Sequence, residues 1–384
     1  LERPKEKIMD GMPMRIAASD LRVVDSDPRF DRRFDGRLMQ VFLYVTDECN
    51  IRCTQCYYKP WLKKGHAEMP TNVALSLLQK FRELGAVKLS FLGGEPTLYG
   101  QADGNEPLPH LIEAARGMGF EYVRMVTNGL FDQTLLRDER LRGIDEITFS
   151  MDGDTAEIHN ALRGRTTYER SLKNLQATIR EGYTVHVTMC VHRGNIGRVQ
   201  DGMLMLSRAI KWAAAMGVKS FNMHPLFRMG VARDDWTGET DIDPLEWVPV
   251  YREIRASIKH GEYGIPVRMP LRFATTTEFD GNPRYHGYCS VKLADRLDVH
   301  PNGQMHTCAL HSGTPVSVAA FEERGERIRI TWADHNNELS EYPFRDGEDH
   351  PCVIMKGFPD SLRPLCISLK PDQNEFIWNR MHME

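Results

Sequence analysis

Short apolar runs alternate along most of this chain with longer stretches whose apolar residues recur every three or four positions. The short runs are Val41–Thr46, Ala86–Phe91, Tyr122–Thr127, Glu146–Ser150, Val185–Val191 and Ser220–His224, and their length and composition predict buried strands. The longer stretches predict amphipathic helices. Val73–Leu84 puts Leu75, Leu78, Phe81 and Leu84 on one face behind Thr71 as a cap, and Leu108–Met118, Thr167–Glu181 and Met203–Met216 follow the same spacing. Strand then helix, repeated along the chain, predicts parallel strands joined by crossover helices. An open doubly wound sheet and an incomplete barrel both fit. Gly93-Gly94, Asn128-Gly129, Asp152-Gly153 and Gly194-Asn195 directly follow four of the strands, where active sites gather in either architecture.

The rhythm is absent at both ends. Residues 1–37 are polar without a sustained period and read as a loop-rich extension. After about residue 230, Pro, Trp and charged residues become frequent, which reads as a connector with one or two helices, Pro244–His260 first among them. From Cys289 onward short strands are predicted at Arg296–Val299, Gln304–Cys308 and Arg327–Trp332, with Pro301-Asn302-Gly303 as a turn. The division is an extension over 1–37, a core over 38–235, a connector over 236–284 and a small β-rich unit with a tail over 285–384.

Charge narrows the function classes. With 49 Lys+Arg against 53 Asp+Glu the net charge is −4, so the basic surplus of a nucleic-acid-binding protein is missing. No window approaches the ~18 consecutive apolar residues of a membrane span. The charged opening residues carry no signal-peptide core, and a reducing cytoplasm is the expected compartment. In that compartment clustered cysteines point to metal rather than to disulfides. The eight cysteines are unevenly spread: Cys49, Cys53 and Cys56 crowd together, and Cys190, Cys289, Cys308, Cys352 and Cys366 follow.

Cys49, Cys53 and Cys56 form a C-x3-C-x2-C triplet just after the first strand of the α/β unit. Three thiolates on one loop can hold a corner of a cubane iron–sulfur cluster and leave the fourth iron open to a small molecule. Zinc and a chance triplet are the alternatives; zinc normally recruits four ligands, and His66 is the only nearby imidazole.

The surroundings of the triplet carry a resemblance. Tyr57 follows it, and Phe91-Leu92-Gly93-Gly94-Glu95-Pro96 ends the next strand. Val126-Thr127-Asn128-Gly129, Phe149-Ser150-Met151-Asp152-Gly153 and His159-x3-Arg163-Gly164 come after. In this order the motifs resemble those of the radical S-adenosylmethionine (radical SAM) superfamily over about 40–235. The resemblance implies a partial (β/α)6 TIM-like barrel, a 4Fe-4S cluster on Cys49, Cys53 and Cys56, and S-adenosylmethionine chelating its open iron. Gly93 and Gly94 would let backbone carbonyls approach the cofactor ammonium without a Cβ in the way. Glu95 would brace the turn, and Tyr57 would lie on the adenine. Ser150 would leave room for the ribose, Asn128 would belong to the cofactor site, and Arg163 would meet the carboxylate unless it is a surface arginine of a helix.

Cys289, thirteen residues, Gly303, four residues and Cys308 resemble the opening hairpin of the SPASM/twitch auxiliary-cluster domains. With Cys352 and Cys366 the thiols number four, as a closed second 4Fe-4S cluster requires. A four-cysteine zinc site is the alternative. The tight cysteine run of a full SPASM domain is missing, which implies a twitch-like domain with one auxiliary cluster. Cys190 is left over. Strand alternation puts it on one face with His186, Thr188 and His192, where it is either a core residue or a hydrogen-atom donor to a substrate radical. His224, His286, His300, His306 and His311 have no spacing that singles one out.

The implied reaction is reductive cleavage of S-adenosylmethionine to a 5′-deoxyadenosyl radical that takes hydrogen from a substrate C–H bond. Net oxidation through the auxiliary cluster is expected, with epimerisation through Cys190 as the alternative. A small natural-product intermediate (sugar, cyclitol, amino acid or nucleoside) is the expected substrate, because only about 40 residues precede the first strand, and peptide maturation is the alternative. Flavodoxin or ferredoxin would be the electron donor.

Overall fold

The computed structural model describes residues 21–56, 58, 62, 67–100, 104–226, 241–269, 271–275, 277, 293–311, 317–333 and 362–366. Strands β2 (Gln40–Tyr44), β3 (Lys88–Leu92), β4 (Tyr122–Thr127), β5 (Glu146–Ser150), β6 (Val185–Val191), β7 (Phe221–Pro225) and β8 (Val267–Arg268) lie side by side in chain order, all parallel. Helices Thr71–Glu83, Leu108–Gly117, Thr167–Arg180, Met205–Ala215 and Pro244–Lys259 connect them, except that β4 and β5 are joined by two short 3-10 helices, Gln133–Arg137 and Glu139–Gly143. Val185, Val187, Met189 and Val191 are buried in the main core with helix residues such as Leu175, Leu206 and Ile210. The alternate positions His186, Thr188 and Cys190 look to the other side and are half-buried. Helices therefore cover one face and leave a polar inner face.

That inner face is curled. β10 (Arg296–Val299) and β7 are six strands apart in the sheet order, roughly 29 Å in a flat sheet at about 4.8 Å per strand. Yet Arg296 on β10 and Arg124 on β4 both depress the pKa of His224 on β7. Groups that far apart in a flat sheet would not feel one another so, and the sheet closes most of the way round as a partial (β/α) barrel.

Two regions differ from the sequence pattern. The stretch expected to be loop-rich holds β1 (Val23–Ser26) and a helix at Pro28–Phe34. The helix is capped by Asp27, which accepts from Arg29 N at 2.8 Å, and buries Phe30 and Phe34 one turn apart. β1 pairs in parallel with β13 (Arg327–Trp332), in register Val23 with Arg327. A partner three hundred residues away leaves no local pattern. Further on, β10 pairs in parallel with β2, then antiparallel with β11 (Gln304–His306), which leads to β12 (Ala319–Arg324) and β13. This meander extends the barrel sheet to twelve strands. β9 (Leu271–Thr275) and β14 (Leu362–Cys366) form a separate antiparallel pair.

Thr71, expected as a helix cap, is the first helical residue, behind Pro70. Its hydroxyl instead meets Tyr99 Oη at 3.0 Å and accepts from Glu106 N at 2.9 Å. A short helix at Ala156–Arg163, capped by Thr155 and ended by Gly164 at φ +100°, went unread because two turns carry too little periodicity. Among the described residues no helix is long and apolar enough to cross a membrane.

Candidate active site

The loop after β2 carries Cys49, Cys53 and Cys56 and is tied to the ends of the next three strands. Gly94 N donates to Thr46 O and Glu95 N to Glu48 O, each at 2.7 Å. Asn128, after β4, donates from its amide to Asn50 Oδ1 at 2.7 Å and to Cys49 Sγ at 3.8 Å. Gln55 donates to Asp152, after β5, at 2.9 Å. Thr54 N reaches Leu162 O in the Ala156–Arg163 helix at 2.9 Å. The three thiols are thus brought into one electrostatic neighbourhood, in which Cys53 raises the pKa of both Cys49 and Cys56, and Cys49 that of Cys56.

The glycines after β3 have a second reason to be glycine. A Cβ on Gly94 would stand 2.1 Å from Glu48 O, and one on Gly93 would stand 2.5 Å from Thr46 O. Their Cβ space is filled by the backbone of the cysteine loop. Glu95 is buried and accepts from Thr97 Oγ1, Thr127 Oγ1 and Asn128 N at 2.7 Å each, and from Thr97 N at 3.3 Å. Burial raises its pKa and these four donors oppose the rise. A carboxylate so occupied joins two strand ends and is a brace. Asn128 also closes its own turn by accepting from Leu130 N at 2.9 Å.

Arg163 is not a surface arginine. Its side chain is 11% exposed, and Nε donates to the fully buried Asp152 at 2.6 Å. Asp152 also accepts from Gln55 Nε2 and from the backbone N–H of Cys190 at 2.8 Å. This aspartate, which motif position alone assigns no role, links the cysteine loop, β5, β6 and Arg163. Ser150 ends β5, buried beside Thr188 of β6. Cys190 lies on the inner face as the alternation predicts, and burial, followed by Asp152, pushes its thiol far above the ordinary range.

Tyr57, Cys289 and Cys352 lie outside the described residues, as do His66 and His286. Cys366 ends β14, opposite Leu271 of β9. Cys308 is half-buried after β11, where its carbonyl accepts from His311 N at 3.0 Å. The Pro301-Asn302-Gly303 turn forms as expected, with Gly303 at φ +90° and its Cβ space taken by Phe321 O at 2.3 Å. Tyr44, Tyr58 and His300 stack, with ring centroids 4.2 Å apart for Tyr44–His300 and 5.2 Å for Tyr44–Tyr58. Tyr58 also donates to Asp47 at 2.5 Å. The stack joins the cysteine loop to the β10–β11 turn. Only the close packing of β2 and β10 creates it, and sequence spacing gives no hint of that.

The donor chemistry fits an iron–sulfur cluster on the first triplet. The loop offers three soft thiols, an amide N–H on one sulfur and the Arg163 charge beside the others. Burial pushes Cys49 up to about 11, Cys56 up to about 12 and Cys53 upward as well, with Arg163 opposing at Cys53 and Cys56. Buried thiols of that kind become thiolates when a metal replaces their protons. Among the described residues no three His, Cys, Asp or Glu side chains converge on a point for one ion. Thiolates that each take a different iron stand apart by construction.

Residues 43–199 match the family model of the radical SAM superfamily. Over 159 residues the chain is 29% identical to a PqqA peptide cyclase of Streptomyces rochei, a match covering 41% of this chain and 42% of that protein. The chain thus spans about two-fifths of that relative's length. Among solved structures, SuiB of Streptococcus suis bound to its precursor peptide SuiA aligns with a TM-score of 0.58. The identity is 14%, over 75% of this chain and 64% of that one. An anSMEcpe structure with bound AdoMet and a Cp18Cys peptide aligns at 0.52, with 17% identity over 74% of this chain and 77% of the other. At such identities these likenesses establish the fold.

Proposed function

We propose, from the premise that residues 43–199 form a radical SAM domain, that this protein takes a hydrogen atom from a C–H bond of an organic substrate held on the inner face of the barrel. The observation that carries the reading is the three-thiol loop locked to the ends of β3, β4 and β5, with Asp152 and Arg163 beneath it. A 4Fe-4S cluster on Cys49, Cys53 and Cys56 would supply the electron that cleaves S-adenosylmethionine to methionine and a 5′-deoxyadenosyl radical.

The chain's own part is positioning. Glu95 and Asn128 hold the loop in place, and Gly93 and Gly94 let the two backbones meet. Ser150 leaves room at the end of β5 for a ribose. Arg163, held by Asp152, faces the thiols and is assigned the cofactor carboxylate through its remaining N–H groups. Tyr57 is assigned the adenine.

Net oxidation is the proposed outcome, with Cys289, Cys308, Cys352 and Cys366 holding a second 4Fe-4S cluster that accepts the substrate's electron. The Tyr44–Tyr58–His300 stack between the first loop and the Cys308 hairpin supports this reading. The proposed substrate is a small organic intermediate. A peptide is the second reading, favoured by a relative named a peptide cyclase and by neighbours solved with bound peptides.

Anaerobic reconstitution tests the function. About eight irons per chain, and 5′-deoxyadenosine on reduction, are expected; bound zinc with no cofactor cleavage refutes it. Deuterium carried into 5′-deoxyadenosine from the small-molecule or the peptide fraction of deuterated cell extract separates the two substrates.

A further inference from the structure

The inner face holds a group of cations that the cluster loop does not use. Phe42 on β2 packs, together with Cys56 and Leu92, against the Tyr44–Tyr58 pair, so it lies just below the cysteine loop. Two guanidiniums stand over its ring: Arg296 with Cζ 3.9 Å from the centroid, and Arg124 at 5.7 Å. Arg296 is gripped by Asp298 through Nε and Nη2 at 2.9 and 2.8 Å. Arg124 donates from Nε to Ser90 at 2.7 Å and from Nη1 to Glu146 at 3.4 Å. Both are therefore fixed in place. Among the described residues Nη1 of Arg296 and Nη2 of Arg124 have no acceptor, and the side chains keep 29% and 20% exposure. Planar forks held rigid with N–H groups to spare are the usual means of gripping a carboxylate.

The third member is His224. It is exposed to the interior, and its Nε2 lies 2.9 Å from the Asn222 amide, which as donor leaves Nδ1 to carry the proton. Crowding by the surrounding barrel wall, then Arg124 and Arg296, hold its pKa down to about 4, so it is neutral at pH 7. Burial and then the neighbouring Arg124 and Arg268 likewise hold Lys88 down to about 6. Arg124, Arg268 and Arg296 outnumber the carboxylates of Glu146 and Asp298 in this part of the barrel, so an anion placed there would be attracted.

We propose that Arg124 and Arg296, set over the Phe42 ring inside the barrel, form with His224 of the same inner face a subsite for a carboxylate of the substrate. The acid is either a free small molecule or the side chain of a peptide. Its place suits the proposed chemistry, for Cys56 packs against the same aromatic pair as Phe42, and Cys308 is close enough to Arg296 to stabilise its charge. A substrate anchored there would lie between the two cysteine regions.

The inference rests on the proposed function, and its test is separate. The full chain, reconstituted with iron and sulfide and loaded with S-adenosylmethionine, is titrated without reductant with 4-fluorobenzoate and with its neutral analogue 4-fluorobenzamide, followed by fluorine NMR. The acid is expected to bind about tenfold or more tighter than the amide. Arg124→Gln and Arg296→Gln are each expected to weaken the acid about ten- to a hundredfold and to leave the amide where it was. Equal affinities, or acid binding unchanged in both variants, overturn the subsite. If Arg296→Gln does not fold, Arg124→Gln and the wild-type probe pair still decide. Displacement of the probe by glutarate or by N-acetyl-Ala-Glu-Ala-amide supports the subsite and tells which source of carboxylate it prefers; displacement by neither overturns it. Formation of 5′-deoxyadenosine by the wild-type protein on reduction tests the function itself, so the two failures are distinguishable.

Discussion

β2 carries the Cys49–Cys56 loop at its end and pairs along its other edge with β10, whose hairpin leads to Cys308. The two regions are neighbours, but they are held differently. The first loop is tied by side chains and backbone from β3, β4, β5 and a helix, all within about 120 residues of it. The β10–β11 hairpin depends on a parallel pairing between residues some 250 apart in the chain and on the stack of His300 against Tyr44. The contrast teaches that a site can be rigid for local reasons or for topological ones, and that only the first kind leaves a compact motif.

The largest expected effect is at the first loop. Cys53→Ser should abolish 5′-deoxyadenosine formation and lower the iron content by about four per chain, read by product chromatography and iron counting. Cys308→Ala sharpens the comparison. On the proposed reading it lowers iron by a similar amount while 5′-deoxyadenosine still forms, and equal loss of cofactor cleavage in both variants would show that the regions are not separable.

Gly94→Ala and Gly303→Ala form a matched pair, since each Cβ would press on a carbonyl oxygen, 2.1 Å away at Gly94 and 2.3 Å at Gly303. Each should cost about 3 kcal/mol in chemical denaturation. Gly94→Ala should deplete the first cluster and Gly303→Ala the second, distinguishable by electron paramagnetic resonance. Glu95→Gln comes next. It turns an amide toward four donors and should cost about 2 kcal/mol, with activity recovering at lower temperature if the residue is only a brace. The smallest change is expected at Cys190→Ala, within about 1 kcal/mol and with the same product. A product altered from epimer to oxidised form, read by NMR, would instead make the thiol a hydrogen donor.

The strand–helix alternation was legible because each strand buries one whole face against helices: the spans of β4, β5 and β6 match the apolar runs residue for residue. Glu95, Asn128 and Arg163 were legible because they fall in short motifs at strand or helix ends. Asp152 sat in plain view but could not be weighted, because its three partners, Gln55, Arg163 and Cys190, come from separate stretches of chain. β1 and the Tyr44–Tyr58–His300 stack were invisible for the same reason, as each needs a partner more than two hundred residues away.

By itself the sequence determined a run of parallel strands joined by helices and the cysteine loop with its strand-end motifs, since periodicity and motif spacing are properties of neighbouring residues. Only the tertiary structure decided that the C-terminal meander continues the barrel sheet, that Gly94 makes room for the loop backbone, and that Arg124, Arg296 and His224 share one interior. The physical reason is the curl of the sheet. It brings strands six apart in the order within reach of one another's charge, a proximity that no run of residues along the chain encodes.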